Sequence, residues 1–298
     1  MGRDPRQFKE ERQRWTLDSL RRVCEWLRLR TEAGLSRLLR RLGISYKRAR
    51  QHVHSPDSHY LAKLRDVQVH VKASKVDPKL FIVLFQDEFT YYRQPTLASA
   101  YEVRGCQQPL AELSHGSNLH WRVTATLDIW TGRVIYSQHK LIGLKELVAF
   151  YQKVCAAYPS AQRIYMVQDN WPVHYHPDVV AALQPQLSRW PLRTPSNWPT
   201  EPRADAPRLN LPIQLVPLPT YASWTNPIEK LWRMLRQQEL HLHNLADNWS
   251  ALKQRVSTFL DQFAQGSQDL LRYVGLRDPD RLYRSALSPT NDTQPLRC

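Results

Sequence analysis

Phe81-Ile-Val-Leu-Phe-Gln-Asp87 decides the fold. Residues 81–86 are apolar on both faces of an extended chain, so they predict a strand central in its sheet, with helices packed on each side. An acid stands just beyond it. The pattern recurs: Ile164-Tyr-Met-Val167 is followed by Asp169, and Ile213-Gln-Leu-Val216 leads into a helix that Glu229 opens. Three acids that each follow a buried-strand pattern are expected to gather at one edge of one sheet. Crowded there they repel and raise one another's pKa, and divalent cations are the natural compensation. Carboxylate ligands favour Mg²⁺, with Mn²⁺ as a substitute, and phosphodiester chemistry on two divalent ions needs such a cluster.

Each acid also has a bland reading. Asp87 and Asp169 sit at strand ends, where Asp often starts a turn. In Asn226-Pro-Ile-Glu229, Asn226 reads as an N-cap, Pro227 as the favoured first helical residue and Glu229 as the capping-box partner. Glu229 also precedes Arg233 by one helical turn, the spacing of a surface ion pair. It is the conjunction of the three that favours chemistry.

Other elements follow from periodicity. A second strand is expected near Tyr91, a third over Leu119 to Trp130, and a hairpin at Thr131-Gly132 leading into Val134 to Tyr136. Leu144, Leu147, Val148, Tyr151 and Val154 mark an amphipathic helix, and another is expected from Pro177 to Leu183. Ile228, Leu231, Trp232 and Leu235, then Trp249, Leu252, Val256, Phe259, Leu260 and Phe263, give the apolar sides of two more. The order implies an α/β domain, a mixed sheet flanked by helices. Residues 184–212 interrupt it with seven prolines, Trp190 and Trp198, and are expected to be an irregular insertion.

The 298-residue chain carries 42 Lys plus Arg against 27 Asp plus Glu, a formal net charge of +15 that favours a polyanionic partner. Most of the excess is local, since residues 1–80 hold 20 basic and 9 acidic side chains. There, Leu17, Leu20, Cys24 and Leu27 follow Thr16, and Leu35, Leu38, Leu39 and Leu42 precede Gly43, the pattern of two short helices with an N-cap and a C-terminal stop. Arg37, Arg40 and Arg41 lie off the leucine stripe, and Lys47, Arg48 and Arg50 fall in a segment, Ile44 to Val53, expected to form a short wing. A small all-α, winged helix-turn-helix domain over residues 1–55 would offer these cations to DNA. Residues 56–79 are expected to be a linker with one helix near Tyr60 to Val69, residues 80–275 the catalytic domain, and 276–298 a tail whose last dozen residues are disordered.

Cys24, Cys106, Cys155 and Cys298 show no C-x-x-C pairing, which argues against a disulfide framework and a cysteine zinc site. No apolar run approaches the length of a membrane span. A cytoplasmic, nucleoid-associated protein is expected. Around the acids, Glu88, Asn170, His174 and Asn226 are candidate supporting residues, and Arg233 and Arg236 are placed to grip phosphates. His174 and His176 form an H-x-H pair, a weak candidate for zinc because no third ligand accompanies it.

Phe85-Gln-Asp-Glu88, Val167-Gln-Asp-Asn170 with His174 close behind, and Pro219-Thr-Tyr-Ala-Ser-Trp-Thr-Asn-Pro-Ile-Glu-Lys-Leu-Trp232 resemble the three acid motifs of the mariner-like superfamily of transposases, in its bacterial insertion-sequence branch. Leu42-Gly-Ile-Ser-Tyr-Lys-Arg48 is similar to the junction after that branch's helix-turn-helix. The resemblance runs from about residue 15 to about residue 275. It implies an RNase H-like catalytic fold whose acid triad, here Asp87, Asp169 and Glu229, binds two Mg²⁺ ions for cleavage of element ends and strand transfer. One ion would be shared by Asp87 and Asp169 and the other by Asp87 and Glu229. It also implies double-stranded DNA as partner, both element ends and a TA target, action as a homodimer, and no nucleotide cofactor.

Two departures stand out. The spacing from Asp169 to Glu229, with 59 residues between, exceeds the family's usual one, so the insertion is expected to form a loop beside the site. Members often carry two helix-turn-helix units, and the short stretch before residue 16 is expected to lack the first. A catalytically silent DNA-binding protein derived from a transposase is the alternative.

Overall fold

The structure, a computed structural model, describes residues 5–9, 14–46, 55–105, 107–184, 190 and 194–287. The chain divides into two compact units, residues 1–52 and 53–298. Among the described residues no helix is long and apolar enough to cross a membrane.

In the first unit, helix α1 (Leu17–Val23) packs on α2 (Glu32–Arg41). Thr16 accepts the Ser19 N–H at 3.0 Å and Thr31 accepts the Gly34 N–H at 3.1 Å, so a side-chain cap satisfies an orphan donor at each start. Gly43, with φ 71°, ends α2 in the left-handed conformation that glycine adopts without strain. Leu20 on α1 and Leu35 on α2 are buried. The first leucine stripe does not continue into one helix. Leu27 falls in a separate 3₁₀ turn, Glu25–Leu27, that closes on Arg28 with φ 51°. The expected wing, with Lys47, Arg48 and Arg50, lies for the most part outside the described residues.

The second unit is built on one five-stranded sheet ordered β3-β2-β1-β4-β5. Its strands are β1 (Phe81–Tyr92), β2 (His120–Asp128), β3 (Val134–His139), β4 (Arg163–Gln168) and β5 (Ile213–Pro217). The first three pair antiparallel, while β4 and β5 run parallel to β1, so the sheet is mixed as expected. The strand expected near Tyr91 is not separate. It is the far end of β1, kept extended past the charged pair Asp87-Glu88 by an unbroken ladder to β2 that runs from Leu84↔Asp128 to Tyr92↔His120. Residues 93–119 then join β1 to β2.

Alternation along β1 sorts the core into two layers. Val83 and Phe85 face α6 (Ile228–Leu235), α7 (Trp249–Asp261), α8 (Gln268–Val274) and α3 (Tyr60–Val76). Ile82 and Leu84 face α4 (Leu144–Ala157) and the short α5 (Pro177–Val180). Helix α5 stops before Leu183 because the chain there leaves to bridge Leu211. Gly132, with φ 71° and no room for a Cβ beside the Ser267 carbonyl, makes the expected turn between β2 and β3.

The stretch expected to be a linker differs most. Leu64, Val67 and Val71, spaced three and four apart, are buried, and α3 runs to Val76 as part of the core. The expected tail also packs back. Leu276 is buried, the Gln68 amide donates to the Leu282 carbonyl, and Lys75 pairs with Asp280. Residues 288–298, with the disorder expected there, lie outside the described residues.

The insertion is irregular where it is described, and its neck is closed. The Leu211 N–H donates to the Ala182 carbonyl at 3.0 Å, and the Gln184 N–H donates to the Leu211 carbonyl at 2.9 Å. Arg203 adds an ion pair to the buried Asp178 at 2.6 Å, and the Trp190 indole N–H donates to Asp66 at 3.1 Å.

Candidate active site

The cleft arises from strands of unequal length. Parallel pairing of β1 with β4 ends at Phe85↔Val167, yet β1 continues for seven residues held by β2 alone, and β4 stops at Gln168. A crevice therefore opens where the carboxyl ends of two adjacent parallel strands part, the usual place for a ligand site in an open α/β sheet. Asp87 lies two residues past the last paired residue of β1, and Asp169 one residue past the end of β4.

Glu229 reaches the same place from α6. The chain leaves β5, turns through Tyr221 with φ 52°, and enters α6 after a 3₁₀ turn, Ser223–Thr225. Ile228, Leu231, Trp232 and Leu235 bury the apolar side of α6 against the sheet. Trp232 stacks on Phe89 with ring centroids 5.3 Å apart, and its indole N–H donates to Asp87 Oδ2 at 2.9 Å.

The capping box is not what holds this helix. No side chain caps α6, and the buried Asn226 instead donates its amide to the Gln86 carbonyl at 3.2 Å. Gln86 stands between the last β1–β4 pair and Asp87, so this bond ties the start of α6 to β1 beside the first acid. Among the described residues no ion pair joins Glu229 to Arg233, and both are exposed. The two bland readings of Glu229 therefore lose their support.

Charge is poorly compensated in the crevice. Burial, followed by the charges of Glu229, Glu88 and Asp169, pushes the Asp87 carboxyl well above the usual range, against the Trp232 hydrogen bond. Asp169 and Glu229 face solvent, yet desolvation by the surrounding protein raises both as well. His174 and the Trp171 N–H pull Asp169 down, and Arg236 and Arg233 do the same for Glu229. Among the described residues, no three acid, histidine or cysteine side chains stand at ligand spacing around one point.

The remaining candidates divide by face. Glu88 points to the α4 side of the sheet, where Gln86 and Thr124 donate to it. Asn170 donates to the Leu218 carbonyl at 2.7 Å, which joins the ends of β4 and β5. The histidine pair does not converge. His174 is buried behind Asp169, whereas His176 accepts the Asp178 N–H and packs edge-on against Trp198. The zinc reading is thereby set aside. Arg236 lies over the Phe89 ring at 5.4 Å, and Arg233 is exposed one turn from Glu229. In the first unit, Arg37, Arg40 and Arg41 are exposed on α2.

Sequence reasoning missed two groups. It read Trp232 only as part of an apolar stripe and Tyr151 only as core. The signal available was chemical, since a buried indole N–H or phenol needs a partner.

The sequence profile of the DDE superfamily endonucleases matches residues 82–253, from β1 into α7, and the chain belongs to this family. It is 22% identical over 259 residues to the "Insertion element IS630 uncharacterized 39 kDa protein" of Shigella sonnei, covering 86% of this chain and 67% of that one. Among solved structures it is similar to the Mos1 mariner paired end complex with Mn, with TM-score 0.61, 15% identity, and coverage of 95% of this chain and 76% of that chain. The Mos1 transposase paired-end complex with left transposon end gives TM-score 0.59 at 14% identity over the same shares. These likenesses fix the fold. They agree with the family that the three acid motifs imply.

Proposed function

We propose that the protein is a DNA transposase of insertion-sequence type, which cuts phosphodiester bonds at element ends and joins them to target DNA at a site made by Asp87, Asp169 and Glu229. The observation that carries this reading is the crevice itself: two acids just past the last β1–β4 pair, and a third on the helix that Asn226 and Trp232 hold against β1. A relative described as an insertion-element protein and structural neighbours described as transposase complexes with transposon DNA support it.

The donors suit a hard divalent ion. All three are carboxylates, two open to solvent, and the neighbouring negative charges that add to burial in lifting Asp87 are what a cation between them would relieve. When bound, two Mg²⁺ or Mn²⁺ ions supply Lewis acidity that favours an oxygen nucleophile and neutralises a leaving oxygen. The protein's own residues do the rest. Trp232 occupies Asp87 Oδ2 and so fixes the rotation of that carboxylate. Arg233 and Arg236 would hold DNA phosphates beside Glu229, leaving the acids free for metal. In cleavage, a water oxygen would attack phosphorus and expel a DNA 3′-oxygen. In joining, the freed 3′-hydroxyl would attack a target phosphorus and expel that strand's 3′-oxygen, with no covalent enzyme intermediate.

Arg37, Arg40 and Arg41 on α2, with Lys47, Arg48 and Arg50 beyond, would bind element ends through phosphates and the major groove. A TA target dinucleotide and action as a homodimer complete the proposal. The test is incubation of a plasmid carrying the element's own ends with Mg²⁺ or EDTA, using wild type and Asp169→Ala. Metal-dependent cutting and joined products that the variant loses are expected. Binding without cutting in either Mg²⁺ or Mn²⁺ would replace the proposal with a DNA-binding role alone.

A further inference from the structure

Behind Asp169, on the α4 side of the sheet, lies a buried imidazole that the reaction scheme above does not use. His174 is wholly inaccessible to solvent and sits in a 3₁₀ turn, Pro172–Tyr175, just after the second acid. Its Nδ1 is engaged by the Tyr151 hydroxyl at 3.3 Å, and Tyr151 on α4 is itself fully buried. Trp171 packs edge-on against the imidazole with centroids 5.3 Å apart, so the ring is held from two sides.

The other nitrogen has no hydrogen-bond partner. His174 Nε2 points between two carboxylates, 3.5 Å from Glu88 Oε2 and 3.7 Å from Asp169 Oδ1, just beyond hydrogen-bonding distance of both. Glu88 cannot move far, because Gln86 and Thr124 hold its other oxygen. Asp169 is the freer acid, with its side chain 57% exposed. Its Oδ1 already accepts the Trp171 N–H at 2.9 Å, so Oδ1 is the oxygen turned inward.

We propose that His174 is a positioning residue for Asp169. A buried nitrogen left open beside a mobile carboxylate is a bond waiting for the loaded state, in which such contacts commonly shorten. With Nδ1 taken by Tyr151, Nε2 closes on Asp169 Oδ1 when the cleft takes a divalent ion, and Oδ2 is left to face that ion. Glu88 is the fixed wall on the other side of the imidazole and keeps it aimed. The inference rests on the proposed metal-dependent reading of the crevice. It adds a second layer of residues, Glu88, Tyr151 and His174, behind one of the three acids.

Partners of this kind usually change metal affinity by about 10- to 100-fold when removed. The experiment is equilibrium Mn²⁺ binding to the full chain without DNA, followed by electron paramagnetic resonance, alongside cleavage and thermal midpoint. His174→Phe is expected to weaken Mn²⁺ binding by about 10-fold while keeping the ring packing, and His174→Gln to restore part of it. Tyr151→Phe, which removes only a hydroxyl, should shift affinity the same way by less. In an Asp169→Asn background, His174→Phe should have no further effect. Unchanged Mn²⁺ affinity in His174→Phe and Tyr151→Phe, a loss that persists in full without the Asp169 carboxylate, or a wild type that binds no Mn²⁺ would each overturn the inference. A wild type that binds Mn²⁺ yet cuts no DNA would sink the transposase reading and leave the His174 comparison intact.

Discussion

The indole N–H of Trp232 donates to the carboxylate of Asp87 at 2.9 Å, across the junction of α6 and β1. The same ring stacks on Phe89, so one side chain both packs the helix and fixes the first acid. Trp232→Phe keeps an aromatic ring but removes the donor. We expect a stability loss of about 2 kcal/mol, the scale of a hydrogen bond to a charged group, together with a higher Mg²⁺ requirement for cleavage. Chemical denaturation and a Mg²⁺ titration of plasmid cutting check the two effects.

Asp87→Asn tests the cost of ionising this acid, set first by its burial and then by the neighbouring carboxylates. The folded chain holds the Asp87 proton more tightly than the unfolded one, whose carboxyl has the ordinary value of 3.8, so ionisation costs stability as pH climbs above that value. In EDTA at neutral pH, the variant should melt higher than wild type, by roughly 2–4 °C for each kcal/mol of that ionisation cost removed. Its advantage should vanish below pH 3.8. Mg²⁺ should raise the wild-type midpoint more than the variant's. Calorimetry across pH, with and without Mg²⁺, reads all three.

Asn226→Ala should cost about 1–3 kcal/mol, because the buried Gln86 carbonyl loses its amide donor. Since that bond seats the start of α6 beside Asp87, cleavage should fall further than the midpoint shift explains. Comparing kcat at a temperature well below both midpoints separates seating from stability.

Asp57 carries the opposite pH signature. Burial raises its carboxyl, but the Lys63 ammonium at 2.8 Å and the Thr220 and His59 N–H groups outweigh this and hold it down from 3.8 to about 2. The stability it adds is complete above pH 3.8 and is lost as pH falls towards 2. Asp57→Asn should cost about 2 kcal/mol at pH 7 and almost nothing near pH 2. Denaturant midpoints of both proteins over that range provide the measurement.

DNA binding offers a fifth test. Arg40→Ala and Arg41→Ala should each weaken binding similarly on all sequences and reduce the salt slope by about one. Fluorescence anisotropy at several KCl concentrations measures both. A loss confined to one sequence would instead place the side chain on a base edge.

The acids were legible because an apolar run gives way to polar residues where β1 and β4 stop pairing, as at Phe85-Gln86-Asp87 and Val167-Gln168-Asp169. Local rules misread what tertiary partners decide. The Asn226-to-Glu229 tetrad fits a capping box, but the Asn226 side-chain N–H is held by the Gln86 carbonyl, its Oδ1 caps nothing, and its backbone N–H goes to the Ser223 carbonyl. Glu88-Phe89-Thr90 looks like a break, but the β2 ladder carries the strand through it to Tyr92. Helix α3 looks polar over much of its length, because only the positions near Leu64, Val67 and Val71 meet the core. His174 beside Glu88 belongs to the same class, since their approach depends on how β4 hands over to a turn.

The closed neck at Leu183 and Leu211 has a consequence for descent. Loop-closure entropy grows only slowly with loop length once the ends are fixed. The stretch from the second acid to the third can therefore lengthen or shorten between lineages at little thermodynamic cost. The offset between β1 and β4 has no such freedom, because a one-residue slip would turn Asp87 to the opposite face of the sheet. Motif spacing in this family should thus drift between the second acid and the third, while the register that sets the first acid beside the second stays fixed, and a search that demands a fixed distance before Glu229 will pass over working relatives.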